Sequence, residues 1–335
     1  MQLLPYDQKT QTGYTSASAS AIDDHAAGFF LKNGYLVVTS AANDGEIQSL
    51  VDETTAICRG KLGDFRKASS KGRNPSGATV AEQPDFASFE GRNDEAVLRE
   101  FLCVHQISPE MLRFLAHPVI VDVLTRVIGP NVKCMQSMLF LKAAGKPGQA
   151  WHQDEDYIPT RDRSLCGAWI AMDDATVENG CLWVIPGSHR SGVRWPMFPH
   201  NDGRFDYATE AFGFPYSDSD AVPVEVPRGS IVFFNGYLLH RSLPNRAKNG
   251  FRRALVNHYM SAESLLPWRN VEGIGMAKCD YRDVVMIAGE DPYYWKDHED
   301  IAKPHIRPDA EGGCGDGRYE LDDFKRQGMP VKRFL

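Results

Sequence analysis

No run of about 18 apolar residues occurs anywhere in the chain, so no transmembrane helix is expected. The amino end, Met1-Gln2-Leu3-Leu4-Pro5, has no basic stretch leading into an apolar one, and secretion is not expected either. Positive charge is not in excess. Lys and Arg number 37 against 44 Asp and Glu, a formal net charge of −7, which argues against nucleic acid or an anionic membrane as partner. Cys-x-x-Cys is absent. The seven cysteines (Cys58, Cys103, Cys134, Cys166, Cys181, Cys279, Cys314) are odd in number and scattered, which disfavours a disulfide framework or a thiolate metal site. They read as reduced thiols of a cytoplasmic protein. No internal repeat is visible, and what remains is ordinary globular composition, 42% hydrophobic and 24% charged, with length for a large core.

Local patterns divide the chain. Residues 1–22 are polar and rich in Ser, Thr and Ala, and read as a flexible lead-in. A helix is predicted from Asp23 to Asn33, stopped by Asn33-Gly34, then a strand over Tyr35–Thr39. Asp44 opens an amphipathic helix with Ile47, Leu50, Val51, Thr54 and Cys58 on one face. Residues 60–95 are irregular, with Phe65, Phe86 and Phe89, and a loop of that length reads as a binding loop or lid. Glu95–Cys103 reads as helical. Ser108-Pro109-Glu110 starts a further helical run to Val127 that Pro118 must break or kink.

Beyond Gly129-Pro130 the pattern turns to strands: 132–142, the segment around 151–157, 166–172, 180–185, 221–226, 230–234 and 252–260, with a long insertion at 190–220. The expectation is a mainly β protein with flanking helices (α+β), a barrel or sandwich behind an N-terminal helical layer. The predicted organisation is one domain over 23–263, its strand core at about 132–262. Residues 264–335, rich in Pro, Gly, Asp and aromatics, read as an irregular C-terminal extension packed on that domain.

The chemistry centres on Trp151-His152-Gln153-Asp154-Glu155-Asp156-Tyr157. If extended, this segment points His152 and Asp154 to one side, because successive strand residues alternate faces. An imidazole and a carboxylate on one side are two thirds of a facial metal site, and His240, closing a later strand, is the best third ligand. Two His and one carboxylate leave three positions open on an octahedral ion, as in non-haem Fe(II) oxygenases. A bare His-x-Asp occurs by chance in many chains, so its surroundings matter. His189 lies in a turn and reads as structural, His258 as a core histidine or one behind the site, and His105 and His117 as parts of the helical layer.

Those surroundings are Trp151-His152-Gln153-Asp154, Cys166-Gly167-Ala168-Trp169, Asn179-Gly180-Cys181, Pro186-Gly187-Ser188-His189, His240-x-Ser242 and Gly250-Phe251-Arg252, in that order. The set resembles the phytanoyl-CoA dioxygenase family of Fe(II)/2-oxoglutarate oxygenases over roughly residues 25 to 262. The resemblance implies a double-stranded β-helix (jelly-roll, cupin-like) core. It implies Fe(II) held by His152, Asp154 and His240, with 2-oxoglutarate and O2 as co-substrates. The family's His-x-Asp spacing selects Asp154 over Asp156. The resemblance also implies that Arg252 pairs with the distal carboxylate of 2-oxoglutarate, Ser242 hydrogen-bonds it, and Met138, Gln153 and Trp169 line the pocket. Gly250-Phe251-Arg252 puts the pairing on Arg252 rather than Arg253, which a strand would point the other way. The implied reaction is hydroxylation of a small-molecule C–H bond with release of succinate and CO2. Desaturation, cyclisation and epimerisation start from the same chemistry, and a non-catalytic jelly-roll binding protein is the reading from another class. Retention of the carboxylate favours oxygenation over halogenation.

Overall fold

The computed structural model describes residues 13–15, 22–62, 98–200, 202–206, 209–264, 284–296 and 304–308. Helix α1 (Asp24–Asn33) begins where the Asp23 carboxylate accepts the Ala26 N–H. It ends where Gly34, at φ 82°, donates its N–H to the Phe30 carbonyl. Helix α2 (Asp44–Cys58) opens on a reciprocal cap between Asn43 and Glu46. The run predicted to break at Pro118 is two helices, α3 (Pro109–Leu115) and α4 (Pro118–Val127). Pro118 starts the second because its missing N–H costs nothing in a first turn.

Fifteen strands follow the chain among the described residues: β1 (Gly13–Thr15), β2 (Tyr35–Thr39), β3 (Leu98–Leu102), β4 (Val132–Ala143), β5 (Gln149–His152), β6 (Cys166–Ala171), β7 (Leu182–Val184), β8 (Met197–Pro199), β9 (Thr209–Ala211), β10 (Val222–Val224), β11 (Ile231–Asn235), β12 (His240–Ser242), β13 (Phe251–Ser261), β14 (Val285–Ala288) and β15 (His305–Pro308). The larger sheet runs β1-β2-β11-β6-β13-β4-β3-β15, with β14 also pairing β4. The smaller sheet runs β10-β7-β12-β5, and β8 and β9 form a separate hairpin inside the insertion. Every pairing is antiparallel except β1 with β2.

The two-residue period of the strands divides the core. On one face of the larger sheet Val38, Leu139, Ile170, Phe233 and Leu255 pack against Phe30, Leu50, Met111 and Leu124 of the helices. On the other face Val37, Met138, Trp169, Val232 and Val256 pack against Trp151, Trp183 and Val184 of the smaller sheet. The architecture is therefore helices, large sheet, small sheet. Among the described residues no helix is long and apolar enough to cross a membrane.

Leu98–Leu102, expected as helix, is a strand between β4 and β15. Phe101 faces the helical side and Leu102 the space between the sheets, so both faces are buried. Ladder hydrogen bonds and two-sided burial override local helix propensity here. The predicted loop 60–95 lies, from residue 63 on, outside the described residues, as do most of 1–22 and of 264–335.

Gly167 shows why a glycine stands inside a central strand. Its register neighbours are Phe234 and His258, and a Cβ there would sit 2.3 Å from the Phe234 ring. That ring lies 4.9 Å from the imidazole of His240. Gly167→Ala should lower stability by about 1–3 kcal/mol through overpacking, read as a shift of the urea midpoint. An unchanged midpoint would mean the ring moves aside freely.

Candidate metal centre and co-substrate pocket

The strand expected across 151–157 ends at His152, and Asp154–Asp156 forms a 3-10 turn closed by N–H groups of Tyr157 and Ile158 on the Asp154 carbonyl. Beyond His152 the chain has no further ladder partner on β12, so nothing holds it extended. The convergence survives this change. His152 and His240 are directly opposed across β5 and β12, with ring centroids 4.1 Å apart. Asp154 Oδ1 lies 3.6 Å from Nε2 of His152 and 3.5 Å from Nε2 of His240. One donor atom from each of the three residues lies within 4.8 Å of the others, and all three residues are buried.

Hydrogen bonds fix which ring nitrogen faces this centre. Nδ1 of His152 is 2.8 Å from the Ala150 carbonyl, and Nδ1 of His240 is 2.9 Å from that of Leu238. A carbonyl only accepts, so each Nδ1 carries a proton, and Nε2 is the nitrogen each ring turns to the centre. Burial, then the neighbouring His240, push the His152 imidazole down to about 3, so it is neutral at pH 7. Burial alone would raise the Asp154 carboxyl. His240, the hydrogen bond from His258 and His152 outweigh it and hold the group below the usual carboxylate range. Two imidazole nitrogens and one ionised carboxylate form a donor set that suits a divalent ion, so the residues fit the metal.

A second set lies on the same inner face of the larger sheet. Arg252 on β13 is buried, and its guanidinium carbon is 5.5 Å from the Trp169 ring centroid. Burial lowers its pKa to about 10, leaving it charged at pH 7. Its Nε has no hydrogen-bond partner among the described residues. Arg253 is differently placed, pairing through two guanidinium nitrogens with Asp173 at 2.7 and 2.9 Å. Lys142, the register partner of Arg252, is also buried and donates to Ser242 Oγ at 2.8 Å. Met138 and Trp169 share this inner layer. Gln153 stands apart. Its Nε2 donates to the carbonyls of Val193 and Tyr237, and its Oε1 accepts the Trp195 N–H, which ties the insertion to the His-x-Asp motif.

Sequence reasoning did not place Lys142 in the pocket, and it read His258 as a core histidine or one behind the site without naming its partner. Two-residue steps from Met138 through Phe140 would have put Lys142 on the inner face. Nothing in the sequence marks His258 as the partner of Asp154, since 104 positions separate them.

The sequence profile of the phytanoyl-CoA dioxygenase family matches residues 30–254. The chain belongs to the phytanoyl-CoA dioxygenase family. It is accordingly an Fe(II)/2-oxoglutarate-dependent oxygenase. Among relatives, it is 31% identical over 241 residues to the peroxisomal phytanoyl-CoA dioxygenase of Rattus norvegicus, covering 70% of this chain and 67% of that one. It is 30% identical to a probable phytanoyl-CoA dioxygenase of Caenorhabditis elegans, covering 73% and 77%. In fold it is similar to the apo non-heme monooxygenase ThoJ, with a TM-score of 0.58 at 18% identity over 90% of this chain and 91% of that one. It is also similar to EctD from S. alaskensis with 2-oxoglutarate and 5-hydroxyectoine, at TM-score 0.53 and 20% identity, covering 82% and 88%.

Proposed function

We propose that this family member hydroxylates a C–H bond of a small-molecule metabolite, with His152, Asp154 and His240 holding Fe(II) and Arg252 and Ser242 holding the distal carboxylate of 2-oxoglutarate. The observation that carries the reading is the convergence of two imidazole Nε2 atoms and one carboxylate oxygen in a buried site. The two facing sheets support a double-stranded β-helix core for the domain over 23–263. When bound, the iron supplies the oxidising chemistry: 2-oxoglutarate and O2 become succinate and CO2, and one oxygen atom enters the substrate C–H bond.

The chain's part is to bind, orient and exclude water. His152 and His240 turn Nε2 toward the centre because each Nδ1–H is committed to a backbone carbonyl. Arg252 offers a planar fork for a carboxylate, and its stacking on Trp169 limits how that fork turns. Ser242 accepts from Lys142, which leaves the hydroxyl proton of Ser242 to donate into the pocket. Arg253 is poorly suited to the same role because Asp173 already takes its fork. The buried thiols Cys58, Cys103, Cys134, Cys166 and Cys181 suit a reducing compartment such as the cytoplasm.

Asp154→Ala should abolish succinate formation coupled to substrate, and full activity in that variant would refute the ligand assignment. Arg252→Ala should raise the KM for 2-oxoglutarate by about 10–100-fold, the worth of a charged hydrogen-bond pair. Arg253→Ala should leave that KM near wild type and lower stability instead, and the reverse ranking would move the role to Arg253. A panel spanning acyl-CoA thioesters and polar amino acids, read by coupled succinate and product mass, tests the reaction class. Gain of one oxygen atom supports hydroxylation, and loss of two hydrogens moves the reading to desaturation or ring closure. A folded chain that takes up no iron would end the catalytic reading in favour of a binding protein.

A further inference from the structure

The two oxygens of Asp154 have separate surroundings. Oδ1 faces Nε2 of His152 and of His240, while Oδ2 is 2.9 Å from Nε2 of His258. The first two histidines come from the smaller sheet, and His258 comes from β13 in the larger one. His258 falls outside the set of donor atoms that lie within 4.8 Å of one another, so it is not a fourth member of the centre. Its ring is buried, and its Nδ1 has no hydrogen-bond partner among the described residues. Its register neighbours are Gly167 and Gln136, neither of them charged. A carboxylate oxygen only accepts, so Nε2 of His258 carries a proton and donates it to Oδ2. Leaving the other ring nitrogen buried without a partner is costly, and the structure tolerates it to aim the Nε2–H at Asp154.

We propose that His258 is a positioning residue that engages Asp154 Oδ2 and thereby restricts Asp154 to one oxygen on the iron. The proposal rests on the metal reading of His152, Asp154 and His240. A carboxylate can bind a cation through one oxygen or both. Buried beside an ion with its second oxygen unpaired, it gains by closing onto that ion with both. Three protein donors leave three positions on a six-coordinate ion. A chelating 2-oxo acid needs two of them and dioxygen the third, so a two-oxygen aspartate would take a position the reaction requires. The hydrogen bond from His258 satisfies Oδ2 and removes that competition. It also fixes the rotation of the carboxylate about its own axis, as partners behind metal ligands do.

The test uses the full chain with His258→Phe, which removes the N–H at similar volume, and His258→Gln, which keeps a donor. Fe(II) affinity of the protein without 2-oxoglutarate is measured under anaerobic conditions. The visible charge-transfer band of 2-oxoglutarate chelated to the iron is then recorded at saturating metal. His258→Phe should bind Fe(II) no more weakly than wild type and show a diminished band, because the freed second oxygen of Asp154 then competes with 2-oxoglutarate for the ion. His258→Gln should recover most of the band. A folded His258→Phe with a wild-type band, or one that binds Fe(II) about tenfold more weakly, would overturn the proposal. So would a His258→Gln as impaired as His258→Phe, because packing would then explain the loss. If circular dichroism shows His258→Phe unfolded, nitrogen NMR of the histidine rings in the wild-type chain with Zn2+ decides. Nε2 of His258 should carry a proton and keep it while the His152 and His240 signals move, and an Nε2 without a proton would overturn the proposal. A wild-type chain that binds neither Fe(II) nor Zn2+ would sink the metal reading itself, a different outcome from equal bands in wild type and variant.

Discussion

The register of one short strand pair governs the rest of this molecule. His240 stands directly opposite His152 because β12 and β5 pair with those residues in line, and a slip of one residue would turn one imidazole outward. Both rings are then pinned by carbonyls two residues earlier in the chain, Ala150 and Leu238. The same short segments thus set the place, the tautomer and the direction of each imidazole. Asp154 joins them from a 3-10 turn rather than from the strand, and its ionised state depends on the imidazoles around it.

The larger sheet supplies what the smaller one lacks. β13 brings Arg252 and His258 to the inner face, with Ala254 and Val256 between them in alternate steps. The spacing separates a cationic pocket at one end from the carboxylate partner at the other. Arg253, one residue on, faces Asp173 and serves to tie β13 to the end of β6. Trp169 bridges the halves of this face, stacked on Arg252 and packed in the layer between the sheets.

Polar groups inside that layer are tolerated because nearly all have partners. Lys142 donates to Ser242 and to the carbonyl of Leu243, and Gln153 is held by three backbone groups. Arg252 Nε, His258 Nδ1 and Trp183 Nε1 are among the buried atoms without hydrogen-bond partners among the described residues. An unsatisfied guanidinium nitrogen such as that of Arg252 favours a filled pocket over an empty one.

The amino-acid sequence by itself determined the helix caps, the break at Pro118, most strands and the ordered motifs that resemble the phytanoyl-CoA dioxygenase family. Those features rest on local chemistry: capping side chains, a missing proline N–H, two-residue alternation and fixed spacing. Tertiary structure decided what depends on distant partners. Leu98–Leu102 became a strand because β4 and β15 flank it. Lys142 became a buried neighbour of Ser242, and His258 the partner of Asp154, because the larger sheet faces the smaller one and brings together residues 100 and 104 positions apart. Local propensity carries no information about such pairings, since their free energy comes from burial and hydrogen bonds that exist only after the sheets close.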